Sequence, residues 1–440
     1  MNGSTSRFCD GISRRSVIQA GLAGIVGLSM PDLLRRQAAA EQTSRKAKTS
    51  VIYIEMAGGP TQHETYDPKP DAPLEYRGPL RAIDTSLPGV AFSEFMVEQA
   101  KILDKLAVIR SLYHTSGSHG TSSHLTQTGY YLRDNQNRDN EMPCLGSIVS
   151  RLRGANESGV PAFASIPQSM RFGRAAWLGK GFNPFETIKS ADDANFEVAN
   201  LTLLAGLTNE RLADRRQLLG GFDATRRTID NQGVAESMDQ FTREAFDLVT
   251  GERARKAFDI RSESTETRAR YGLNSLGQNM LLARRLVEHG ITVVTVRASS
   301  LGSWDDHGNI ADAMRKKGPG FDQAVAALVS DLHERGLDRQ TLVVCMGEFG
   351  RTPRVNKGAG RAHWGQVMSA VLAGGGLKTG QVIGSSDSTG SVPKDRPYRP
   401  EHVLSMIYRH LDIDPAHTFN DFSGRPRYVL EERRLISELI

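Results

Sequence analysis

The sequence is poor in cysteine and in aromatic residues, and it has no apolar run of the length that crosses a bilayer. Three of its 440 residues are cysteine, Cys9, Cys144 and Cys345. So few thiols exclude a disulfide framework and a structural zinc site built on thiolates. Aromatic residues make up 7% and hydrophobic residues 39%, as in ordinary globular proteins with a core. Because a membrane-spanning helix needs roughly 20 apolar residues, we expect no transmembrane span in the mature chain.

The chain also lacks a strong excess of one charge. It has 55 Lys and Arg against 50 Asp and Glu, a formal net charge of +5. Much of this excess comes from five arginines in residues 1–40, so the remainder is close to neutral. No stripe of Lys and Arg supplies the electrostatic footprint that nucleic acid requires, and we therefore expect no nucleic-acid partner.

Residues 1–40 have the pattern of an export signal. Arg14 and Arg15 precede a mainly apolar run at residues 17–30, and three alanines follow at 38–40. Small residues in that position are typical of a cleavage site. The segment resembles a twin-arginine signal, and a general secretory signal with coincidental paired arginines is the alternative. Either predicts a periplasmic or secreted protein after cleavage.

Runs of β-branched residues alternate with amphipathic segments along the rest of the chain. This alternation predicts an α/β fold with a mostly parallel central sheet and helices on both faces. We expect a spacer at 41–50 and one α/β domain at 51–440, with a possible cap or insertion at 154–270 that contains a helix at 201–219. The expected strands are 51–54, 107–109, 291–296, 341–346 and 368–373. The expected helices are 95–106, 144–152, 273–289, 321–335 and 400–411.

Acidic and histidine side chains follow two of these strands. Asp305 and His307 come after strand 291–296, and Glu348 and then His363 come after strand 341–346. In open α/β sheets, ligands bind beyond the carboxyl ends of the strands. Carboxylate and imidazole ligands suit Zn²⁺, Mn²⁺ or Fe, so the four residues form a candidate metal site. Arg351 could hold an oxyanion by paired hydrogen bonds.

The loops after the first two strands supply further polar groups. Gly58 and Gly59 precede Thr61 and His63, and their lack of side chains lets the backbone approach a ligand. A second loop, residues 114–124, contains three histidines and several hydroxyls, among them Ser118, His119 and Thr121. Such a loop could bind metal, activate a hydroxyl nucleophile, or be a solvated turn.

Four ordered motifs resemble those of a bacterial family named domain of unknown function 1501. They are Gly58-Gly59-Pro60-Thr61 with Asp67-Pro68-Lys69-Pro70, Trp304-Asp305-x-His307, Gly347-Glu348-Phe349-Gly350-Arg351-Thr352-Pro353, and Gly360-Arg361-x-His363-Trp364. The resemblance covers nearly all of the mature chain. That family is grouped with alkaline phosphatases and sulfatases, which implies a metal-centred site that hydrolyses sulfate or phosphate esters.

The resemblance assigns roles to individual residues. It implies that Asp305, His307, Glu348 and His363, with His63 as a further candidate, hold a divalent ion, which could be Zn, Mn, Ca or Mg. The position of the superfamily's nucleophile falls on Ser118 when it is counted from Leu125. It falls on His119 when it is counted back from Thr128-Gly129. Where the superfamily places a metal-binding Asp after the first strand, this chain has Gly58-Gly59, with His63 and Glu64 as the nearest candidates.

Two functions follow from the sequence. The first is an exported metal-dependent hydrolase acting on a sulfated or phosphorylated small molecule or polysaccharide. Thr61, Ser118 or Thr121 would be its nucleophile, or water would attack directly with His119 as ligand or general base. Arg351 would bind the non-bridging oxygens. The alternative is a non-catalytic exported protein that uses the same pocket to bind a polysaccharide or a cell-envelope ligand.

Overall fold

The apolar, β-branched runs of the sequence form the buried centre of the protein. A computed structural model describes residues 48–198, 248 and 251–440. All six residues of the strand Ser50–Glu55 and all six of Thr341–Met346 are buried, because these strands lie in the middle of a sheet that is covered on both faces.

The strands are β1 Ser50–Glu55, β2 Ala82–Asp84, β3 Ala91–Ser93, β4 Leu106–Leu112, β5 Phe163–Ile166, β6 Phe185–Glu186, β7 Val293–Arg297, β8 Thr341–Met346, β9 Gly350–Arg351, β10 His363–Trp364, β11 Met368–Gly374, β12 Gln381–Ile383, β13 Ser385–Ser386, β14 Pro393–Asp395, β15 Thr418–Asn420 and β16 Pro426–Tyr428. The α-helices are α1 Leu74–Arg77, α2 Val97–Lys101, α3 His119–Thr128, α4 Leu145–Leu152, α5 Glu252–Phe258, α6 Thr265–Tyr271, α7 Ser275–Glu288, α8 Ile310–Glu334 and α9 Pro400–His410. Short 3-10 turns lie at Leu103–Lys105, Ala176–Leu178, Lys180–Phe182, Ile260–Ser262, Ala298–Leu301 and Ser437–Leu439.

Eight of these strands form the central sheet, in the order β12-β4-β11-β8-β1-β7-β5-β6. Strand β11 is antiparallel to both of its neighbours, β4 and β8, and the other pairings in the sheet are parallel. The predicted mostly parallel α/β sheet is therefore confirmed. Strands β5 and β6, which fall within the range predicted as a cap or insertion, extend one edge of this sheet.

Alternate residues of β1 point to opposite faces of the sheet, and each face has its own core. Ile52 and Ile54 belong to one apolar cluster, which helices α7 and α8 cover with residues such as Leu282 and Phe321. Val51 belongs to the other cluster, which α4 and α9 cover. The prediction of helices on both faces is confirmed by this division.

Two predicted helices have different bounds in the structure. Helix α8 begins at Ile310, eleven residues before the predicted start, and runs through Pro319. The adjacent Gly318 packs against Phe95 so closely that an added Cβ would lie 2.9 Å from the Cβ of Phe95. This glycine therefore permits close packing of the helix and does not end it. The helix predicted at 95–106 is short, because α2 ends at Lys101 and a 3-10 turn leads into β4.

The sheet brings several loops to one edge. The carboxyl ends of β1, β4, β7 and β8 meet there, and the reversed strand β11 begins there. Within the described residues, no helix has both the length and the apolar character to span a membrane. The helix predicted at 201–219 and the export signal at 1–40 lie outside the described residues.

Candidate metal centre

Three side chains that could hold a metal ion converge at this edge of the sheet. His119, Asp305 and His363 each offer one ligand atom, and these atoms all lie within 4.8 Å of one another. His363 Nε2 is 3.0 Å from Asp305 Oδ1, and His119 Nε2 is 3.3 Å from Asp305 Oδ2. We call these three residues the triad. The structure thus brings together residues that are far apart in the sequence.

Each member of the triad is placed by a different element. His119 is the first residue of α3, which follows β4. Asp305 lies in the loop after β7 and its 3-10 turn, where its backbone N–H donates to Ser303 Oγ at 3.1 Å. His363 lies in β10, just before the reversed strand β11, and so reaches the same edge from the opposite direction.

Glu348 and His307 surround the triad. Glu348 Oε1 is 2.8 Å from His119 Nδ1, and the carboxylate also accepts the backbone N–H of Gly58. Since metal-binding histidines usually donate their second ring nitrogen to a carboxylate or carbonyl, Glu348 is placed to orient His119. His307 Nε2 is 2.9 Å from Asp305 Oδ1 and 3.0 Å from His363 Nε2.

The electrostatics favour the metal-binding forms of Asp305 and His363. Burial raises the pKa of Asp305, but the hydrogen bond and the charge of Arg351 outweigh it and hold this pKa well below its usual range. Burial is also the largest influence on His363 and lowers its pKa. The pKa of His119 shifts the other way, because the hydrogen bond to Glu348 raises it and favours the protonated ring, so metal binding there displaces a proton. An ionised carboxylate and a neutral imidazole are the forms that a divalent ion requires.

Arg351 is fully buried, and its guanidinium is surrounded by acceptors of the protein itself. It donates to the carbonyls of Gly59 (2.8 Å), Arg361 (3.1 Å) and Trp304 (3.2 Å), and it also contacts the Gly58 carbonyl and Asp305. The sequence predicted that Arg351 binds substrate oxygens. In the structure its contacts hold Asp305 and the Gly58-Gly59 turn in place, and the binding of substrate oxygens stays a prediction.

The Gly58-Gly59 turn packs directly against the site. Both glycines have positive φ, 112° and 81°, a conformation that costs glycine little. A Cβ at Gly59 would overlap the ring of Phe349. That ring lies against two triad rings, with centroid distances of 5.0 Å to His119 and 4.6 Å to His363. The turn and Phe349 therefore form one wall behind the triad.

His63 and Thr61 are buried away from the triad. The Nε2 atom of His63 is 2.9 Å from the carbonyl of Thr389, and burial lowers the pKa of this histidine to about 3. Thr61 donates its hydroxyl to Glu64 at 2.5 Å, and Glu64 forms a buried ion pair with Arg361 at 2.8 Å. Among the contacts of the described residues, neither His63 nor Thr61 touches the triad.

The two other predicted nucleophiles flank His119. Ser118 is exposed, immediately precedes α3, and donates its backbone N–H to Ser116 Oγ at 3.1 Å. Thr121 is half-buried in the first turn of α3. Ser123, four residues after His119 and hence on the same face of the helix, lines the cavity described next.

A cavity of about 430 Å³ opens beside the triad. It is lined by Glu55, Ala57, Gly58, His119, Ser123, Arg171, Arg297, Ser299, Ser303, Asp305 and Glu348. Sequence reasoning did not single out six of its polar residues: Glu55, Ser123, Arg171, Arg297, Ser299 and Ser303. Glu55 and Arg297 are charged residues at the ends of predicted strands, which was an available signal. Burial and the neighbouring Glu348 raise the pKa of Glu55 to about 8.

Comparison with known proteins gives the family. Residues 48–440 match the model described as protein of unknown function (DUF1501). The chain belongs to this family. The membership predicted from the four motifs is therefore confirmed, and no curated protein matches the sequence.

Several solved structures are similar to this DUF1501 chain. A Bacteroides thetaiotaomicron protein of glycosaminoglycan metabolism, designated 4S-sulf, is 10% identical with a TM-score of 0.39, over 83% of this chain and 73% of that one. Alkaline phosphatase from the Antarctic bacterium TAB5 is 9% identical with a TM-score of 0.35, over 83% and 99%. A sulfatase from Pseudoalteromonas is 10% identical with a TM-score of 0.32, over 85% and 70%.

The donor set of the triad fits a divalent cation. Two imidazoles and one carboxylate are ligands that Zn²⁺ and Mn²⁺ accept. The ring nitrogens Nε2 of His307 and His363 lie 3.0 Å apart and both point at the same oxygen of Asp305. A cation between the two Nε2 atoms and the Asp305 oxygen would bind the lone pairs of all three atoms. The residues present therefore suit a metal ion.

Proposed function

We propose that this protein is an exported metal-dependent hydrolase of sulfate or phosphate esters. The observation that carries the proposal is the convergence of His119, Asp305 and His363 beside a cavity of about 430 Å³. Pockets of that size accept small-molecule ligands. A site with such ligands at the carboxyl edge of a mostly parallel sheet is also where α/β proteins place their chemistry.

His119, Asp305 and His363 would hold the divalent ion, with His307 beside them. Once bound, such an ion polarises an ester and stabilises the negative charge that develops on its oxygens. Glu348 fixes the orientation of the His119 ring through Nδ1, and Arg351 holds Asp305 ionised and in position. These contacts prepare the site before substrate arrives, which lowers the cost of reorganisation.

Water is the attacking group that the geometry favours among the alternatives from the sequence. The Thr61 hydroxyl is fully buried and donates to Glu64, so a substrate in the cavity does not reach it. Ser118 and Thr121 are not among the residues that line the cavity. His119 then acts as a ligand held by Glu348, rather than as a nucleophile.

The test compares two histidine variants of the purified chain without residues 1–40. His363→Ala removes a member of the triad, and His417→Ala removes an exposed histidine of the β15 region as the matched control. We expect wild type and His417→Ala to bind a divalent ion and to cleave an aryl sulfate or an aryl phosphate, with chelator abolishing turnover. His363→Ala should lose both. Folded wild type without metal and without turnover of either ester contradicts the proposal.

A second candidate is a non-catalytic protein that binds a polysaccharide or cell-envelope ligand in the same cavity. The Gly58-Gly59 turn favours it, because it stands where the superfamily places a metal-binding Asp, so this chain lacks that carboxylate ligand. One experiment distinguishes the two functions. Metal-loaded wild type is mixed with a sulfated polysaccharide and, separately, with the aryl esters. Binding of the polysaccharide without cleavage of any ester supports the binding protein.

Export by residues 1–40 is part of the proposal. Replacing both Arg14 and Arg15 by Lys should leave the chain in the cytoplasm if the twin-arginine route is used. A general secretory signal tolerates this change, because it needs positive charge rather than paired arginines. Cell fractionation with an antibody against the chain distinguishes the two routes.

A further inference from the structure

Two arginines line the cavity beside the triad, and most of their hydrogen-bond donors are unused. Arg171 has no hydrogen bond or ion pair in the described part of the chain, and its recorded contact is with the ring of its neighbour Phe172. Arg297 forms an ion pair with Glu55, with Nε 3.7 Å from Oε2, but makes no hydrogen bond among the described residues. A guanidinium presents five donors in a planar fork that matches an oxyanion. Both side chains are therefore available to a ligand.

Arg171 is exposed, yet the backbone that carries it is fixed. The residues on either side of it, Met170 and Phe172, are both buried. The Phe172 ring packs edge-on against His124 of α3, with a centroid distance of 5.3 Å. Arg171 Nη2 comes within 3.3 Å of the point where a Cβ on Gly120 would lie. The guanidinium therefore lies at the first turn of α3, next to His119.

Arg297 is placed by the sheet itself. It is the last residue of β7 and lies in register with Glu55, the last residue of β1, so both side chains emerge at the carboxyl edge. Glu55 is 5% exposed. Its Oε2 atom and the Nε atom of Arg297 are buried, and neither has a hydrogen-bond partner among the described residues. The two side chains form an ion pair without a hydrogen bond, which leaves the donors of Arg297 for a ligand in the cavity.

We propose that Arg171 and Arg297 bind a second anionic group of the substrate, in addition to the ester held at the triad. The inference rests on the proposed function and narrows its substrate class to esters that are part of a polyanionic molecule. The ester group itself would be polarised by the divalent ion at the triad, so it does not need these arginines. Two acids of the same cavity already have partners, Asp305 in Arg351 and Glu348 in His119, which leaves the free donors of Arg171 and Arg297 for additional negative charge.

The experiment uses two small probes that differ by one anionic group. Ethanesulfonate is a monoanion, and ethane-1,2-disulfonate is a dianion of similar size, and neither can be hydrolysed. Isothermal titration calorimetry measures both against wild type, Arg171→Gln, Arg297→Gln and Arg339→Gln. Arg339 is the matched control, since it is exposed and precedes β8 at the opposite edge of the sheet. Circular dichroism confirms that each variant is folded.

We expect wild type to bind the disulfonate at least about tenfold more tightly than the monosulfonate, because one charge-assisted hydrogen bond is worth a factor of that order. Each of Arg171→Gln and Arg297→Gln should remove this preference, Arg297→Lys should restore part of it, and Arg339→Gln should leave it unchanged. Equal affinities of wild type for the two probes overturn the inference, as does a preference that survives both substitutions.

Metal content, measured on the same samples, separates this inference from the proposed function. If wild type binds a divalent ion but does not distinguish the probes, the arginine proposal alone is wrong. If wild type binds no ion but prefers the disulfonate through Arg171 and Arg297, the anion site is supported and the hydrolase proposal is wrong.

Discussion

Replacing Arg351 by Met distinguishes a residue that positions Asp305 from one that binds substrate. Methionine keeps much of the length and apolar volume of arginine but removes the charge and all five donors. The guanidinium is 0% exposed and contacts Asp305 together with four backbone carbonyls. The substitution therefore leaves several buried acceptors unpaired and removes the partner of an ionised carboxylate.

The magnitude follows from those contacts. Removing one partner of a buried ion pair costs about 3–5 kcal/mol, because the other charge remains without compensation. Asp305 itself is about one-third exposed, so water recovers part of that cost and the lower end of the range applies. We expect Arg351→Met to reduce the free energy of unfolding by about 3 kcal/mol. This is a large share of the roughly 5–15 kcal/mol that stabilises a typical domain.

Urea unfolding, followed by tryptophan fluorescence, to which the buried Trp304 contributes, measures this loss. Chelator is present throughout, so that metal binding does not add to the stability of either protein. The control is Arg339→Met, the same substitution at an exposed site, which should change stability by no more than about 0.5 kcal/mol. If Arg351 binds substrate instead, Arg351→Met will unfold at the urea concentration of wild type and will only raise KM. That result would refute the positioning role.

Three further predictions concern the surroundings of the site. Gly59→Ala should reduce the free energy of unfolding by about 2–5 kcal/mol, because alanine is strained at this positive φ and its Cβ overlaps Phe349. An unchanged midpoint of urea unfolding would contradict the close packing of Gly59 against Phe349. His63 has a pKa of about 3 when folded and about 6.5 when unfolded, so the unfolded chain binds one more proton between these values and stability falls as pH falls. His63→Gln should reduce the slope of stability against pH in that window by about 1.4 kcal/mol per pH unit, whereas an unchanged slope would show that His63 is not buried as a neutral ring. Asp305→Asn, nearly identical in shape but uncharged, should weaken divalent-metal binding by at least about 100-fold in a competition with a chromophoric chelator, and an unaltered affinity would exclude Asp305 as a ligand.

The sheet and the convergence of acids with histidines could be predicted because both depend on short patterns. A β-branched run such as 341–346 indicates a buried strand, and Glu348 just after it falls at the carboxyl edge. The same rule placed Asp305 at that edge. Both positions follow from chain continuity alone, which explains why local sequence was sufficient for them.

The direction of β11 is harder to obtain, and the position of His363 depends on it. Parallel neighbours need a crossover, usually through a helix, whereas antiparallel neighbours can be joined by a loop. Residues 347–367, between β8 and β11, contain no helix in the structure. The absence of a helical pattern there was the available signal that β11 is reversed and begins at the site.

The role of Arg351 and the importance of Arg171 could not be predicted, because both depend on tertiary contacts. A glycine-flanked arginine beside a carboxylate has the same sequence pattern whether its guanidinium faces a ligand or the backbone. Two of the four carbonyls that surround Arg351, those of Gly58 and Gly59, come from a segment nearly 300 positions away. Arg171 reaches the first turn of α3 from a loop that has no distinctive pattern of its own.

Anomalous scattering from a crystal of the chain grown with Zn²⁺ or Mn²⁺ tests the central claim most directly, because it locates the ion and identifies the element. We predict an anomalous peak within ligand distance of His119 Nε2, Asp305 and His363 Nε2, and no such peak in a crystal of His363→Ala. A wild-type crystal without a peak among these three side chains, or with its ion at an unrelated position, would contradict the account.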